Sequence, residues 1–341
     1  MVRVGIIGLG NHGLRHVKAI KLNNRMKVVA ICDKDNKNFK AASKYFPEIN
    51  YYSNFKDLIK KEKLDLVSIV TNGPSHASII QSAIENSIKY IFCEKPMCTS
   101  MHDAKKIIKQ CEKAKTRFTI GYIRRFSSDY LNLINIINNG AIGRPRHYHF
   151  TVGSGLFAAV GIHYLDLFRM ISQSEPVEVF GKLGSLERIN PRGRQFNDPG
   201  AFATYLFEDK SRAVIDIMED IGVPPKFEII GSIGRIIIHG DEETGAKWTL
   251  FQRKENDKKE SLKRYDLNLQ ESVIRVNKFD IIQLLSNGYN SLLSNDKLIS
   301  NVKDGAKGVE MLLATHISSK ENRIVRFPLS EEKDNFTVPF T

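Results

Sequence analysis

The sequence predicts an α/β fold in two unlike parts, and three observations carry that reading. Apolar runs alternate with helical patterns from Val2 to about Gly121, a glycine-rich turn separates the first run from the first helix, and a later succession of strands is joined by short turns. The first rhythm is that of a doubly wound parallel sheet with crossover helices, of the kind that holds six strands. The second is that of an α+β unit with a large, mostly antiparallel sheet. The change of rhythm divides the chain into residues 1–121 and 122–341. A length of 341 residues fits two domains, and 42% hydrophobic residues suffice for a core in each.

In the first part, strands are expected at 2–7, 27–32, 65–70, 89–92 and 118–120, each a short apolar run. Helices are expected between them at 12–22, 36–45, 54–61, 75–85 and 101–115. The run before Glu94 reads as a buried strand, and Pro96 excludes helix at Lys95, holding that lysine extended or in a turn. In the second part a helix near 129–138, a strand near 146–152 and a helix near 162–171 precede strands at 177–184, 201–207, 212–218, 226–230 and 235–239. Turns such as Glu208-Asp209-Lys210-Ser211 are too short for crossovers, so these strands pair antiparallel. Helices at 271–285 and 302–318 close the chain, with a last strand at 323–327. Residues 252–263 read as an exposed charged loop.

Fifty-one Lys and Arg against 38 Asp and Glu leave a net charge of +13. The lysines spread over helix faces (Lys105, Lys106, Lys109, Lys113, Lys115) and the loop at 254–263, without a compact basic run and interleaved aromatics. That pattern argues for a solvated surface and against nucleic acid or a membrane as partner. No apolar stretch approaches the ~20 residues of a membrane span. Met1 to Gly8 reads as a strand entering a turn rather than a secretory leader. Cys32, Cys93, Cys98 and Cys111 lack zinc-ribbon spacing, so reduced thiols in a cytoplasmic protein, and no metal centre, are expected.

Gly8-Leu9-Gly10-Asn11-His12-Gly13 follows a strand and opens a helix, and Asp33 ends the next strand twenty residues beyond. In that context the glycines allow a tight turn and close approach to a pyrophosphate, while the helix N-terminus supplies free amides. Asp33 suits the adenosine ribose hydroxyls and repels a 2′-phosphate, favouring NAD over NADP, with Lys34 next door softening the exclusion. Thr71-Asn72-Gly73-Pro74-Ser75-His76 forms the next loop on the same sheet edge, suited to ribose or nicotinamide. Ser75 reads equally as a helix cap, and His76 as a surface residue of the first turn. Glu94-Lys95-Pro96 places a lysine at the carboxyl edge of the sheet, where open α/β folds bind ligands.

Further elements are His16, Gly121-Tyr122-Ile123-Arg124-Arg125-Phe126, Gly161-Ile162-His163-Tyr164-Leu165-Asp166, and a late helix from Asp304-Gly305 to Ser318-Ser319. In order and spacing these resemble the Gfo/Idh/MocA oxidoreductases, nicotinamide-dependent enzymes acting mostly on sugars, inositols and nucleotide sugars. The resemblance covers nearly the whole chain and implies a Rossmann domain followed by a larger-sheet domain that often forms homodimers or homotetramers. It implies a hydride transfer between NAD and a hydroxyl or keto carbon, with Lys95 and His163 flanking the reacting oxygen. His163, whose type titrates near neutrality, takes the proton, and Lys95 orients substrate and stabilises charge; the reverse assignment stays open. Asp166 shares a helix face with His163 and either holds a substrate hydroxyl or orients the imidazole.

The expected dinucleotide set is thus Gly8, Leu9, Gly10, Asn11, His12, Gly13, Asp33, Thr71, Asn72 and His76, completed by Glu94 and Lys95. Arg124, Tyr164 and Asp198 are candidate substrate contacts. Arg124, Arg125, Arg192 and Arg194 would suit a diphosphate or carboxylate. The chain departs from the family at Ala159, four positions before His163, where many members carry an acidic or amide side chain; Asn197-Asp198 could supply the missing polar group. Two other functions stay open: glycoside processing with a bound, recycling NAD, and a sensor that kept only the dinucleotide site.

Overall fold

The computed structural model describes residues 1–45, 48–185, 190, 193–253 and 269–340. Six strands form the first sheet: β1 (Val2–Ile7), β2 (Met26–Cys32), β3 (Asn50–Tyr52), β4 (Leu66–Ile69), β5 (Tyr90–Cys93) and β6 (Arg117–Ile120). All pair parallel, in the order β3-β2-β1-β4-β5-β6. The crossovers are α1 (Asn11–Lys21), α2 (Asn36–Ser43), α3 (Phe55–Lys61), α4 (Gly73–Glu85) and α5 (Met101–Ala114). Helices cover both faces, which is why β4 reads Leu-Val-Ser-Ile and is buried along its whole length. The strand order reverses between β1 and β4, so the carboxyl ends of those two strands open a crevice.

After β6 the chain passes to the second sheet through a 3₁₀ turn (Ile123–Phe126), α6 (Ser128–Asn138), β7 (Pro145–Thr151), a single π-helical turn (Phe157–Gly161) and α7 (Ile162–Ser172). There follow β8 (Pro176–Leu183), β9 (Ala201–Phe207), β10 (Arg212–Asp216), β11 (Lys226–Gly231), β12 (Gly234–His239), β13 (Lys247–Arg253) and β14 (Leu269–Val273). β15 (Val325–Arg326) completes a nine-stranded sheet ordered β14-β13-β12-β11-β7-β10-β9-β8-β15. Every neighbouring pair is antiparallel except β7 with β10. One face is core: in β9, Ala201, Ala203, Tyr205 and Phe207 are buried while Phe202 between them is exposed.

The last two helices tie the sheets together. α9 (Val302–Glu321) starts from a reciprocal cap between Asn301 and Asp304 and lies between α5 and β8, which buries most of its circumference. α8 (Ile281–Leu293) returns to the first sheet and packs against α1, Phe92 and the turn at Phe126. The sequence expects a helix at 271–285. Residues 269–273 instead pair with β13 as an edge strand, and the helix starts at Ile281 because the Asp280 carboxylate caps the amides of Ile282 and Gln283. The expected charged loop falls mostly outside the described residues, as does Arg192. All four cysteines are free and buried. Among the described residues no helix is long and apolar enough to cross a membrane.

Candidate active site

The crevice between β1 and β4 widens into a cleft of about 840 Å³ that reaches the second sheet. Behind its lining Gly8 turns the chain at φ +97°, where a Cβ would sit 2.5 Å from the carbonyl oxygen of Val70. A Cβ on Gly13 would lie 2.2 Å from the carbonyl oxygen of Gly8, whereas one on Gly10 would meet nothing within 4 Å. Gly10 precedes α1 without a side-chain cap, leaving the first-turn amides of a helix whose start lines the cleft. Open space beside Gly10, free amides and a helix N-terminus fit a dinucleotide pyrophosphate. Leu9 lies apart: its side chain is core, and its amide donates to Asp33 Oδ2 at 2.6 Å. With the Asp35 amide on Oδ1 at 2.8 Å, the Asp33 carboxylate is fixed at the tip of β2.

Thr71 and Asn72 line the cleft beside this turn. Ser75 Oγ donates to Thr71 Oγ1 at 2.6 Å. His76 is neither on the surface nor in the cleft lining: it is fully buried, its Nδ1 2.7 Å from the Pro96 carbonyl and its Nε2 2.9 Å from that of Thr71. It braces two cleft loops from behind.

Glu94 is buried, with Oε1 3.1 Å from His16 Nε2 and 3.2 Å from His12 Nε2. His16 Nδ1 reaches the Tyr289 hydroxyl on α8 at 2.7 Å, and Ser68 Oγ joins the same hydroxyl at 2.7 Å. Burial pushes the Glu94 carboxyl up, but the charge and hydrogen bond of His12, then those of His16, outweigh it and hold the group well below the usual carboxylate range. Burial conversely pushes His16 down, against the pull of Glu94. Ligating atoms of His12, His16 and Glu94 lie within 4.8 Å of one another, a donor set of the kind that binds a divalent cation. Both His16 nitrogens are engaged, so the trio is a closed hydrogen-bond network that stiffens the base of the cleft.

Lys95, just beyond β5, and His163, in α7, both line the cleft. Lys95 Nζ donates to the carbonyl oxygen of Ala159 in the π-helical turn. His163, in the first turn of α7, is half-buried beside the Tyr122 ring. Burial, then the positive charges of Lys95 and Arg124, drive its imidazole well below the ordinary histidine value, so it is neutral at physiological pH. Asp198 is buried and does not line the cleft; its carboxylate accepts the amides of Ala158 at 2.6 Å and Ala159 at 3.0 Å.

The far wall was not foreseen. The turn between β12 and β13 brings Asp241, Glu242 and Glu243 to the cleft. Glu242 takes the guanidinium of Arg124, with Nε at 2.9 Å, and the Tyr130 hydroxyl at 2.7 Å. Arg124 also donates to the Tyr164 hydroxyl at 3.1 Å and lies over that ring. Glu243 reaches Arg15 on α1 at 3.4 Å, bridging the mouth of the cleft. An acidic triplet in a hairpin turn of a basic chain was the signal that could have marked this wall. Asp166 stands outside the cleft lining: it is 3% exposed and bound bidentately by Arg125, at 2.8 Å to each oxygen. Arg169, Asp304 and Glu175 extend this ion network. Arg125, whose charge burial disfavours, is held protonated by Asp166.

A doubly wound parallel sheet with this turn, and an open cleft facing a second sheet, defines an NAD-binding Rossmann oxidoreductase. Residues 2–122 match the family described as "Oxidoreductase family, NAD-binding Rossmann fold". Over 290 residues the chain is 29% identical to an uncharacterized oxidoreductase of Bacillus subtilis, covering 80% of this chain and 84% of that one. Over 258 residues it is 27% identical to the myo-inositol 2-dehydrogenase of Thermotoga maritima, covering 71% and 77%. In fold it is similar to an Agrobacterium radiobacter oxidoreductase solved with NAD+, L-tartaric acid and magnesium, with a TM-score of 0.78 at 18% identity over 95% of this chain and 98% of that one. Residues 2–122 thus carry the NAD-binding Rossmann unit of that oxidoreductase family.

Proposed function

We propose that this protein is an NAD-dependent dehydrogenase of a neutral polyol, an inositol or unphosphorylated sugar, rather than of a nucleotide sugar. The observation that carries the reading is the meeting of Lys95 and His163 in one cleft beside the dinucleotide turn. Bound NAD supplies the hydride acceptor for the substrate carbon. His163, neutral because burial and two nearby cations disfavour its protonated form, takes the hydroxyl proton in oxidation and returns it in reduction. Lys95 holds the same oxygen and stabilises negative charge on it. Thr71 and Asn72 flank the ribose and nicotinamide. Asp33, fixed by two backbone amides, keeps acceptor capacity for ribose hydroxyls and repels a 2′-phosphate, which favours NAD over NADP.

The preference for an uncharged substrate comes from the far wall. Arg124, a candidate for an anionic substrate, is neutralised by Glu242, and Arg125 by Asp166. Glu243 is paired with Arg15, and Asp241 adds a further carboxylate at the cleft. Curated relatives bear the names inositol 2-dehydrogenase and myo-inositol 2-dehydrogenase. The test is NADH formation at 340 nm across a panel of inositols, free sugars, sugar phosphates and nucleotide sugars. Turnover confined to phosphorylated substrates would sink the neutral-polyol reading, and binding of NADH without any hydride transfer would sink the enzymatic one. The division of labour between residues 1–121 and 122–341 belongs to the same proposal, as does self-association into a homodimer or homotetramer through the outer face of the nine-stranded sheet. Light scattering of the purified chain measures the latter.

A further inference from the structure

Position 159 lacks the polar side chain that the lysine and histidine would ordinarily work beside, yet the Lys95 ammonium still meets an acceptor there, the backbone carbonyl of Ala159. A carbonyl faces a cleft in this way only if the turn carrying it is held from outside. The turn Phe157–Gly161 is a single π-helical turn entered through Leu156 at φ +61°, a left-handed conformation that a leucine adopts at a cost. Its three leading amides are all taken by one neighbouring loop. Phe157 N donates to the Pro199 carbonyl at 3.0 Å, and Ala158 N and Ala159 N donate to the two carboxylate oxygens of Asp198. The loop is pinned in turn by the Asn197 amide on the Pro339 carbonyl and the Gly200 amide on Glu219.

We propose that Asp198 is a positioning residue for Lys95, acting through the backbone of Ala158 and Ala159. This rests on the reading of Lys95 as the residue that holds the reacting oxygen. A carboxylate gripping two consecutive amides fixes the rotation of the turn, and with it the direction of the Ala159 carbonyl. The carbonyl accepts a hydrogen bond but cannot take a proton, so the proton of the reaction stays with His163. A backbone acceptor and a buried anion behind it together do the work of a side chain at position 159.

Asp198→Asn tests this, because the amide retains the shape but turns one acceptor into a donor facing an amide N–H. The expected result is a kcat lower by about tenfold, with NADH affinity within twofold of the native chain. In the same background Ala159→Asp, which gives Lys95 a carboxylate partner directly, restores most of the lost kcat. A purely structural Asp198 would lower melting temperature and leave kcat unresponsive to the second substitution, and that outcome overturns the proposal. If Asp198→Asn does not fold, Asp198→Glu decides: displacing the carboxylate by one methylene lowers kcat with NADH affinity kept, and a native kcat overturns the proposal. Lys95→Ala separates this from the functional reading itself. If that variant retains full turnover, the assignment of Lys95 fails; if it loses turnover while Asp198→Asn shows a native kcat, only the positioning role fails.

Discussion

Asp166→Asn distinguishes a reacting carboxylate from a structural one. Asp166 is 3% exposed and receives two charge-assisted hydrogen bonds of 2.8 Å from Arg125, with Arg169 at 3.7 Å. Such bonds contribute roughly 1.5–3 kcal/mol each, and removing one member of a buried pair costs about 3–5 kcal/mol. Asp304 remains 3.2 Å from Arg125 and 3.4 Å from Arg169 and absorbs part of the uncompensated charge, which places the asparagine variant near the lower end, about 3 kcal/mol. At about 2 °C per kcal/mol for a chain of this size, the melting temperature falls by about 6 °C. Because the carboxylate does not line the cleft, kcat stays within about tenfold and NADH affinity within twofold. Calorimetry beside steady-state kinetics gives both numbers. An unchanged melting temperature with a loss of kcat beyond about a hundredfold would refute the placement of Asp166 in the ion network rather than the reaction.

Four other outcomes are expected. Gly13→Ala drives a methyl group to 2.2 Å from the Gly8 carbonyl, so NADH affinity, measured by fluorescence titration, falls by more than about tenfold even where the chain still folds. His163→Ala lowers kcat by about 10²–10⁴ with NADH affinity unchanged. In the native enzyme the neutral imidazole is the active form and its pKa is depressed, so kcat/KM for oxidation stays flat from pH 8 down through about 6.5 and falls only on the acid side. His316, buried in α9, has its pKa pushed by burial from 6.5 to about 4. The fold holds it neutral, so this contribution is complete above pH 6.5 and lost as pH falls toward 4. At about 1.36 kcal/mol per pH unit it amounts to about 3 kcal/mol, and His316→Gln removes that share of acid sensitivity in melting scans against pH.

The first sheet was legible because each of its longer strands is a short apolar run between amphipathic helices. β3 was not: three residues paired on one side only to β2 leave no periodic signal. β13 and β14 went unseen for a related reason, since Trp248 to Arg253 mixes polar and apolar residues and 269–273 is an exposed edge. The 271–285 reading took an apolar helix face correctly but began it ten residues early, missing Asp280 as its cap. Within the site, the glycine turn and Asp33 followed from spacing along single elements, whereas the pairing of Lys95 with His163 came from the resemblance alone. His76, Asp166 and Asp198 were recognised as polar groups near the site, yet their partners, Pro96, Arg125 and the amides of Ala158 and Ala159, lie 20, 41 and about 40 residues away. Side-chain identity marks a group as reactive, but only tertiary contact decides whether it faces the cleft or the frame behind it. The acidic wall at Asp241 to Glu243 is a hairpin turn delivered by two strands of the other sheet; its charge pattern marks it locally, but only the tertiary fold brings it to the cleft.

α8 bears on the order in which this chain can be made and recombined. Tyr289, which holds His16 and through it Glu94, is carried by a helix nearly two hundred residues downstream of β5, and Leu285 and Leu292 fill the groove beside Val17 and Ile20. Asn290 further accepts from Asn23 and Arg25 at the end of α1. A growing polypeptide therefore has its dinucleotide turn complete in sequence long before it is complete in packing. A chimera that grafts residues 1–121 onto another member's second half must match that foreign helix to α1, or it will expose an apolar groove and leave a buried histidine without its tyrosine.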